Sequence, residues 1–194
     1  MVPHLVDYLV ERCGVREEDI TIVIANGTHI GGDEQELRTL VTDAVYDRVR
    51  VENHDCEATD LVYLGTTPHG TPVSINRTAA QADIVICLGA VTHHVMAGFG
   101  GGRKSILPGI SSRETIFHNH AFSLDAAQLR SNPAIGNGVL KGNPLHEDMC
   151  EAAGLVKNLF IINLVMNAQM QLAEKFKKNG GTKQEVGGPV LGRQ

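Results

Sequence analysis

The sequence is poor in the residues and patterns that mark several classes of protein. It contains no tryptophan, and aromatic residues make up only 4% of its 194 positions. No apolar run is long enough to cross a bilayer, so we predict no membrane span. The N-terminus has no basic segment followed by an apolar one, which argues against a signal peptide.

Paired cysteines are also missing, and this bears on the compartment in which the protein works. The four cysteines stand far apart and form no C-x-x-C pair: Cys13, Cys56, Cys87 and Cys150. This spacing disfavours a disulfide framework and a structural zinc site, and it favours reduced thiols. We therefore expect a cytoplasmic protein, with Cys87 in the core because it lies inside an apolar stretch.

Positive charge is scarce as well. The chain has 17 lysines and arginines against 22 aspartates and glutamates, which gives a net charge of -5. Because no basic run compensates for this balance, we do not expect the chain to bind nucleic acid.

The sequence is rich in histidine and glycine. It has nine histidines, which cluster, and 21 glycines.

The apolar pattern predicts an α/β fold. Three stretches rich in β-branched residues are apolar almost throughout and predict strands covered on both faces: residues 20–25, 82–90 and 159–165. Helical spacing predicts helices over residues 3–13, 33–49 and 144–153, and two short runs at 61–64 and 72–75 predict a hairpin. The expected architecture is an open, largely parallel sheet flanked by helices, with a small hairpin insertion.

The densest group of chemically active residues lies between residues 91 and 109. His93 and His94 precede a glycine-rich loop, and a lysine follows it; the loop and its cations comprise Gly98, Gly100, Gly101, Gly102, Arg103 and Lys104. Glycine allows backbone N–H groups to approach an anion closely, so the run predicts a phosphate or carboxylate site. Arg103 stands where both the Walker loop and the dinucleotide fingerprint require glycine. A flexible turn with solvated charges is the alternative.

Histidines follow the predicted strands at their carboxyl ends. His29 comes after the first strand, in the turn Asn26-Gly27-Thr28-His29, and His94 comes after the second. Ligands of open α/β sheets bind at this edge, so we expect the two histidines to lie near one another. The alternative for His29 is a turn residue that satisfies backbone groups. We expect His93 to face solvent, and His54 to be structural.

A further histidine pair follows within a predicted helix that begins after Ser111 or Ser112. His118 and His120 stand two positions apart, so their side chains leave such a helix in different directions. The sequence by itself does not say which of them has a chemical role. His69 and His146 have no supporting context in the sequence.

Several of these segments together resemble the nickel-dependent lactate racemase family. They are Gly27-Thr28-His29 after a strand, the pattern His-x-x-x-Ala-Gly-Phe-x-Gly-Gly-x-Lys-x-x-x-Pro-Gly from His94 to Gly109, the run from Ser112 to Ile116, and Asn119-His120. The resemblance extends over residues 19–167. The glycine and lysine pattern that ends in Pro-Gly is long and specific, whereas the Gly-Thr-His turn alone would be a weak signal.

The resemblance implies a cofactor and a role for each motif residue. The cofactor is a nickel-pincer nucleotide, attached to Lys104 through a thioamide and bound by the loop residues Gly100, Gly101, Gly102 and Arg103. His120 completes the nickel coordination and is favoured over His118, while His29 and His94 act as acid and base. The implied reaction is racemisation of a small, lactate-like 2-hydroxy acid by reversible hydride transfer to the cofactor. Imidazole suits both nickel and a proton relay.

The resemblance also implies a domain organisation and partners. We expect residues 1–170 to form the N-terminal cofactor-binding domain and residues 171–194, which lose apolar periodicity, to form an irregular tail. The family's upstream Asp-x-x-Arg element and its C-terminal domain have no match here, so we expect a partial member. Implied partners are the hydroxy-acid substrate and the proteins that synthesise the cofactor and insert nickel.

Two other functions stay open on the sequence alone. One is a non-catalytic module that binds a nucleotide or metal through the glycine-rich loop and Lys104. The other is a zinc-dependent hydrolase built on the histidine clusters, although the sequence has no H-E-x-x-H motif.

Overall fold

The computed structural model of the chain describes residues 1–165. The expected tail at residues 171–194, and the end of the domain expected over residues 1–170, lie outside the described residues. Within the described range the α-helices are α1 (Val2–Cys13), α2 (Glu34–Val41), α3 (Asp43–Tyr46), α4 (Arg77–Gln81), α5 (Arg113–Ala121) and α6 (Pro144–Gly154). Short 3₁₀ helices span Glu17–Asp19 and Gly102–Ser105.

The strands of the same range pair two by two. They are β1 (Thr21–Ile24), β2 (Arg50–Asn53), β3 (Val62–Thr66), β4 (Pro72–Ile75), β5 (Val85–Val91), β6 (His93–His94), β7 (Gly98–Phe99), β8 (Leu124–Asp125), β9 (Arg130–Ser131) and β10 (Leu159–Val165). β1 pairs with β2 and β5 with β10, both in parallel, while β3 and β4 form the antiparallel hairpin. The predicted α/β fold with parallel strands and a hairpin is confirmed. Hydrogen bonds divide the parallel strands into two separate pairs.

A small core lies against the first parallel pair. Helix α1 ends where Gly14 adopts a left-handed conformation with φ of 70°, a common helix stop. The buried side chains of this core come from α1 and from the segment that contains α2 and α3: Val6, Val41, Val45 and Val49. Valine suits this position because its branched side chain packs closely against the β1–β2 pair.

The segment after β1 differs from the single helix predicted over residues 33–49. Helix α2 begins with a capping box, in which the Asp33 side chain accepts from the Glu36 N–H and the Glu36 side chain accepts from the Asp33 N–H. It ends early because Thr42 adopts a φ of 80°, and α3 starts afresh. The single-helix prediction was wrong because apolar periodicity continues across the break. Leu40, which a continuous helix over residues 33–49 would place on its apolar face, is 60% exposed.

The larger core joins the hairpin, the second parallel pair and helices α5 and α6. Its members are almost inaccessible to solvent and include Val73, Ile75, Cys87, Ile106, Leu107, Ile116, Leu145 and Met149. Cys87 is therefore a core residue, as predicted. Packing of α5 and α6 on the strands fixes the residues between β5 and α5, which form the site described below.

His54 is structural, also as predicted. Its side chain is buried, and Nε2–H donates to the Ser111 carbonyl at 2.9 Å. Burial lowers the pKa of His54, although the bond to Ser111 acts in the opposite direction.

Among residues 1–165, the helices are too short or too polar to traverse a lipid bilayer.

Candidate active site

The carboxyl ends of β1 and β5 open into a cavity of about 470 Å³. Four residues singled out in the sequence line it together: His29, His94, Lys104 and His120. They come from the turn after β1, from β6, from the 3₁₀ helix Gly102–Ser105 and from α5. The volume falls within the usual range for a small-molecule site. The tertiary structure thus brings residues 91 positions apart into one cavity.

The turn that carries His29 is fixed by hydrogen bonds of its backbone. Asn26 Nδ2 donates to the His29 carbonyl at 2.8 Å and to the His54 carbonyl at 3.0 Å. The N–H of Gly27 donates to the Gly109 carbonyl at 2.8 Å, which ties this turn to the chain that follows Lys104. The His29 side chain is exposed at the rim of the cavity, so the turn holds its backbone and leaves its ring accessible.

His94 has one ring nitrogen committed to the backbone and the other directed at Lys104. Its Nδ1 accepts hydrogen bonds from the N–H groups of Met96 and Ala97, at 3.2 and 3.0 Å. The proton of the neutral ring therefore belongs on Nε2. That nitrogen lies 2.9 Å from Lys104 Nζ, so we assign Nε2–H as the donor and a neutral amine as the acceptor.

The surroundings of this pair favour the neutral form of both groups. Burial lowers the pKa of Lys104, and the positive charge of Arg103 lowers it further. Burial also lowers the pKa of His94, and its cationic or protonatable neighbours Lys104, Arg103 and His120 disfavour a charge on the ring as well. A lowered pKa increases the neutral fraction of an amine, and the neutral amine is its nucleophilic form.

His120 has the arrangement of a metal ligand. Its Nδ1–H donates to the Ile116 carbonyl one helical turn earlier, at 2.8 Å. This bond leaves the lone pair on Nε2, and metal-binding histidines commonly donate their second ring N–H to a carbonyl in this way. Burial lowers the pKa of His120, which favours the neutral ring that a metal needs. His118 on the same helix is exposed, as the two-residue spacing predicts.

Two backbone N–H groups of the glycine loop are already hydrogen-bonded within the protein. The N–H of Gly100 donates to the Thr92 carbonyl at 2.7 Å, and that of Gly102 donates to Asn163 Oδ1 at 2.8 Å. These two groups therefore fasten the loop to its neighbours and are not directed at an anion. Gly101 lines the cavity.

Arg103 departs from the sequence expectation of a solvated or anion-facing charge. It is only 3% exposed, and Nη2 donates to the carbonyls of Ala97 and Phe99. A 3₁₀ helix has about three residues per turn, so adjacent side chains leave it in different directions, and Lys104 faces the cavity while Arg103 is buried. The buried charge of Arg103 also acts on His146. The burial of the His146 ring and, to a smaller extent, the charge of Arg103 lower the pKa of His146 to about 4.

Sequence reasoning missed a buried junction at Asp148 and a partly buried pair of His69 and Glu151. Asp148 is completely buried and accepts hydrogen bonds from the hydroxyls of Thr67 and Thr71, at 2.6 and 3.0 Å, and from Asn119 Nδ2 at 2.8 Å. His69 Nδ1 lies 2.7 Å from a Glu151 oxygen, and this contact raises the pKa of His69. These residues lie too far apart in sequence for any local pattern to reveal them.

Comparison with known proteins decides the family. A family model described as the lactate racemase N-terminal domain matches residues 1–131, two thirds of the 194 residues. The chain belongs to the lactate racemase family. The resemblance drawn from the glycine and lysine motif is thereby confirmed.

Two curated members of the lactate racemase family are similar over most of the chain. The lactate racemase of Thermoanaerobacterium thermosaccharolyticum is 34% identical over 176 residues, which cover 90% of this chain and 40% of that protein. The lactate racemase of Lactiplantibacillus plantarum is 33% identical over 169 residues, which cover 87% of this chain and 39% of that protein. The chain thus spans about two fifths of the length of these relatives.

Solved structures agree with the fold. The lactate racemase apoprotein of T. thermosaccharolyticum superimposes with a TM-score of 0.79 at 33% identity, over 89% of this chain and 40% of that one. A Thermotoga maritima protein superimposes with a TM-score of 0.67 at 22% identity, over 88% and 44% of the two chains, which supports the fold alone.

Proposed function

We propose that this chain provides the cofactor-binding part of an enzyme that racemises a small, lactate-like 2-hydroxy acid. The observation that carries the proposal is the meeting of His29, His94, Lys104 and His120 in one cavity. Membership of the lactate racemase family supports the same activity, since both curated relatives are lactate racemases. The proposed partners are the hydroxy acid and the proteins that make the cofactor and insert nickel, in the cytoplasm.

We assign the cofactor, a nickel-pincer nucleotide, to Lys104 and His120. The amine of Lys104 suits covalent attachment because its surroundings favour the neutral form. His120 suits nickel because its Nδ1–H is taken by the Ile116 carbonyl and its Nε2 keeps the lone pair. When bound, the cofactor would accept the hydride that leaves C2 of the substrate. The loop of Gly100, Gly101, Gly102 and Arg103 would hold the attachment point in place.

His29 and His94 are assigned to proton transfer at the substrate hydroxyl. They reach the cavity from separate strand ends, and racemisation needs proton exchange with either enantiomer. The neutral ring of His94 carries its only proton on Nε2, so we assign it to hold the substrate oxygen by donating a hydrogen bond to it. His29, which is exposed at the rim, is assigned to take the hydroxyl proton as hydride leaves C2, and the imidazolium so formed would return that proton to the keto oxygen when hydride comes back to either face.

The zinc hydrolase alternative receives less support from the geometry. Among residues 1–165, the compact group of potential metal ligands is His69, Asp148 and Glu151, and these do not line the cavity. Asp148 in that group already accepts three hydrogen bonds. The binding-module alternative differs from the racemase only in turnover, so experiment must separate the two.

The test is intact-protein mass spectrometry after co-expression with the cofactor-synthesis enzymes and nickel. We expect an adduct of nucleotide-plus-nickel mass on the wild-type chain and none on Lys104→Ala. Lys141→Ala is the matched control, because Lys141 is an exposed lysine and its loss should leave the adduct intact.

The outcomes separate the hypotheses. Interconversion of D- and L-lactate by the loaded chain would support the racemase, and an adduct without turnover would support the binding module. A folded wild-type chain without an adduct, or an adduct that persists in Lys104→Ala, would contradict the assignment of Lys104.

A further inference from the structure

Asn163 is a polar residue in the otherwise apolar strand β10, and it contacts the glycine loop. It lies opposite Gly89 in the parallel pair of β5 and β10. Its Oδ1 accepts the hydrogen bond from the Gly102 N–H at 2.8 Å, across 61 positions of sequence. Asn163 also lies beyond residues 1–131, the part of the chain that the family model matches.

The shape of the strand pair allows this contact. Gly89 has no side chain, and a Cβ there would lie 3.0 Å from Gly101 Cα. A Cβ on Gly101, where φ is 77°, would lie 2.7 Å from Asn163 Oδ1. The two glycines therefore let the loop backbone rest directly on the strands, within reach of the Asn163 amide.

The hydrogen bond caps the short helix that carries Lys104. The 3₁₀ helix Gly102–Ser105 begins after Gly101, which has no side chain to accept a bond from the first N–H groups. Asn163 supplies that acceptor from another strand. Lys104 follows Gly102 by two positions, so the orientation of this turn determines whether its amine reaches His94.

A second asparagine does the same for the loop after β1. Asn53, on β2, accepts a hydrogen bond from the Gly32 N–H at 3.1 Å and donates to the Gly32 carbonyl at 2.8 Å. A Cβ on Gly31 would lie 2.6 Å from its side chain. Each parallel pair thus carries an asparagine that holds the glycine segment following its partner strand.

We propose that Asn163 is a positioning residue that holds the Gly102–Ser105 turn so that the Lys104 amine faces His94 in the cavity. The importance of that position rests on the proposed attachment of the cofactor to Lys104. The contact itself does not depend on any bound group.

The first experiment measures the reactivity of Lys104 in the full chain without cofactor. Trace acetylation with acetic anhydride across a pH series, read by peptide mass spectrometry, gives a midpoint for each lysine. The exposed residues Lys141 and Lys157 serve as internal references. We expect Asn163→Ala to raise the Lys104 midpoint by at least about 0.5 pH unit towards the references, since the displaced amine becomes more hydrated.

Asn53→Ala is the matched control for this measurement. It removes the same kind of contact from the other loop, so the Lys104 midpoint should stay at the wild-type value. A folded Asn163→Ala chain with the wild-type midpoint, or an equal shift in Asn53→Ala, would overturn the proposal.

The second experiment follows hydrogen exchange of the Gly102 amide by NMR. We expect protection in the wild type and in Asn163→Asp, which keeps an acceptor oxygen, and at least about tenfold faster exchange in Asn163→Ala. If Asn163→Ala does not fold, the wild type and Asn163→Asp decide: an unprotected Gly102 amide in the wild type contradicts the proposal. Neither measurement needs the cofactor, so failure to form the nucleotide adduct would leave both results unaffected.

Discussion

The pairing of His94 with Lys104 brings into one contact the residues to which we assign proton transfer and cofactor attachment. Two backbone amides fix the tautomer of His94, and the remaining ring proton faces the lysine amine 2.9 Å away. Burial and the charge of Arg103 both lower the pKa of Lys104, which favours the neutral amine. This burial lowers the stability of the folded chain, because a buried ammonium is poorly hydrated.

A substitution that removes this amine should stabilise the chain. The folded state holds the Lys104 pKa below the ordinary 10.5, so it disfavours the ammonium that the unfolded chain carries at neutral pH. Lys104→Met should raise the free energy of unfolding on the order of 1 kcal/mol near pH 7. This advantage should shrink as pH rises towards 10.5, because the folded lysine then loses its proton first.

Urea unfolding of both chains across a pH series measures this difference. Lys141→Met is the matched control, since an exposed lysine should change stability little at any pH. A Lys104→Met chain that is less stable than the wild type at neutral pH would contradict the argument.

At the scale of elements, Asp148 joins three segments that are distant in sequence. The carboxylate, on α6, accepts bonds from Thr67 and Thr71 in the hairpin turn and from Asn119 on α5. It contributes no surface to the cavity. By fixing α5 against α6 it holds the helix that carries His120.

Replacement of this carboxylate should be costly. Asp148→Asn puts an NH₂ group where a buried oxygen accepts hydrogen bonds, so at least one donor loses its partner. We expect the free energy of unfolding to fall by about 2 kcal/mol, measured by urea denaturation. Asp43→Asn is the control: Asp43 is 79% exposed beside Arg38, so its loss should cost less than about 1 kcal/mol. Equal stability of the two variants would show that the hydrogen bonds of Asp148 contribute little to the stability of the fold.

At the scale of the whole molecule, the cavity exists because the two parallel pairs meet. A hydrogen bond from the Gly27 N–H to the Gly109 carbonyl links the turn after β1 to the segment after β5. Gly109 also donates to the Lys104 carbonyl at 3.0 Å. One backbone position thus connects the His29 side of the cavity with the Lys104 side.

Gly109→Ala should disturb both sides at once. The added Cβ would lie 2.3 Å from the Ser105 carbonyl oxygen and 2.8 Å from Ala25 Cβ, so the backbone must shift. We expect a loss of about 2 kcal/mol in the free energy of unfolding. Gly154→Ala is the control, because a Cβ there would meet no neighbour, and it should be neutral. A Gly109→Ala chain as stable as the wild type would contradict the close contact between these two segments.

Sequence reasoning succeeded where the chemistry lies in local patterns. The spacing of His94, Lys104 and His120 around the glycine loop led to the family, and all three residues line one cavity. It failed for Arg103 because a motif gives the residue type and not the direction of its side chain. It passed over Asn163 because one polar residue in an apolar strand gives no sign of the loop it contacts.

The sequence by itself determined the α/β class, the parallel strands, the family and the residues that carry its motif. These follow from apolar periodicity and local spacing, which depend on neighbours along the chain. Only the tertiary structure decided the break at Thr42, the burial of Arg103, and the contacts of Asn163 and Asp148. Each of these depends on packing or hydrogen bonding between segments, and the energy of such contacts is set by distance in space and not by separation in sequence.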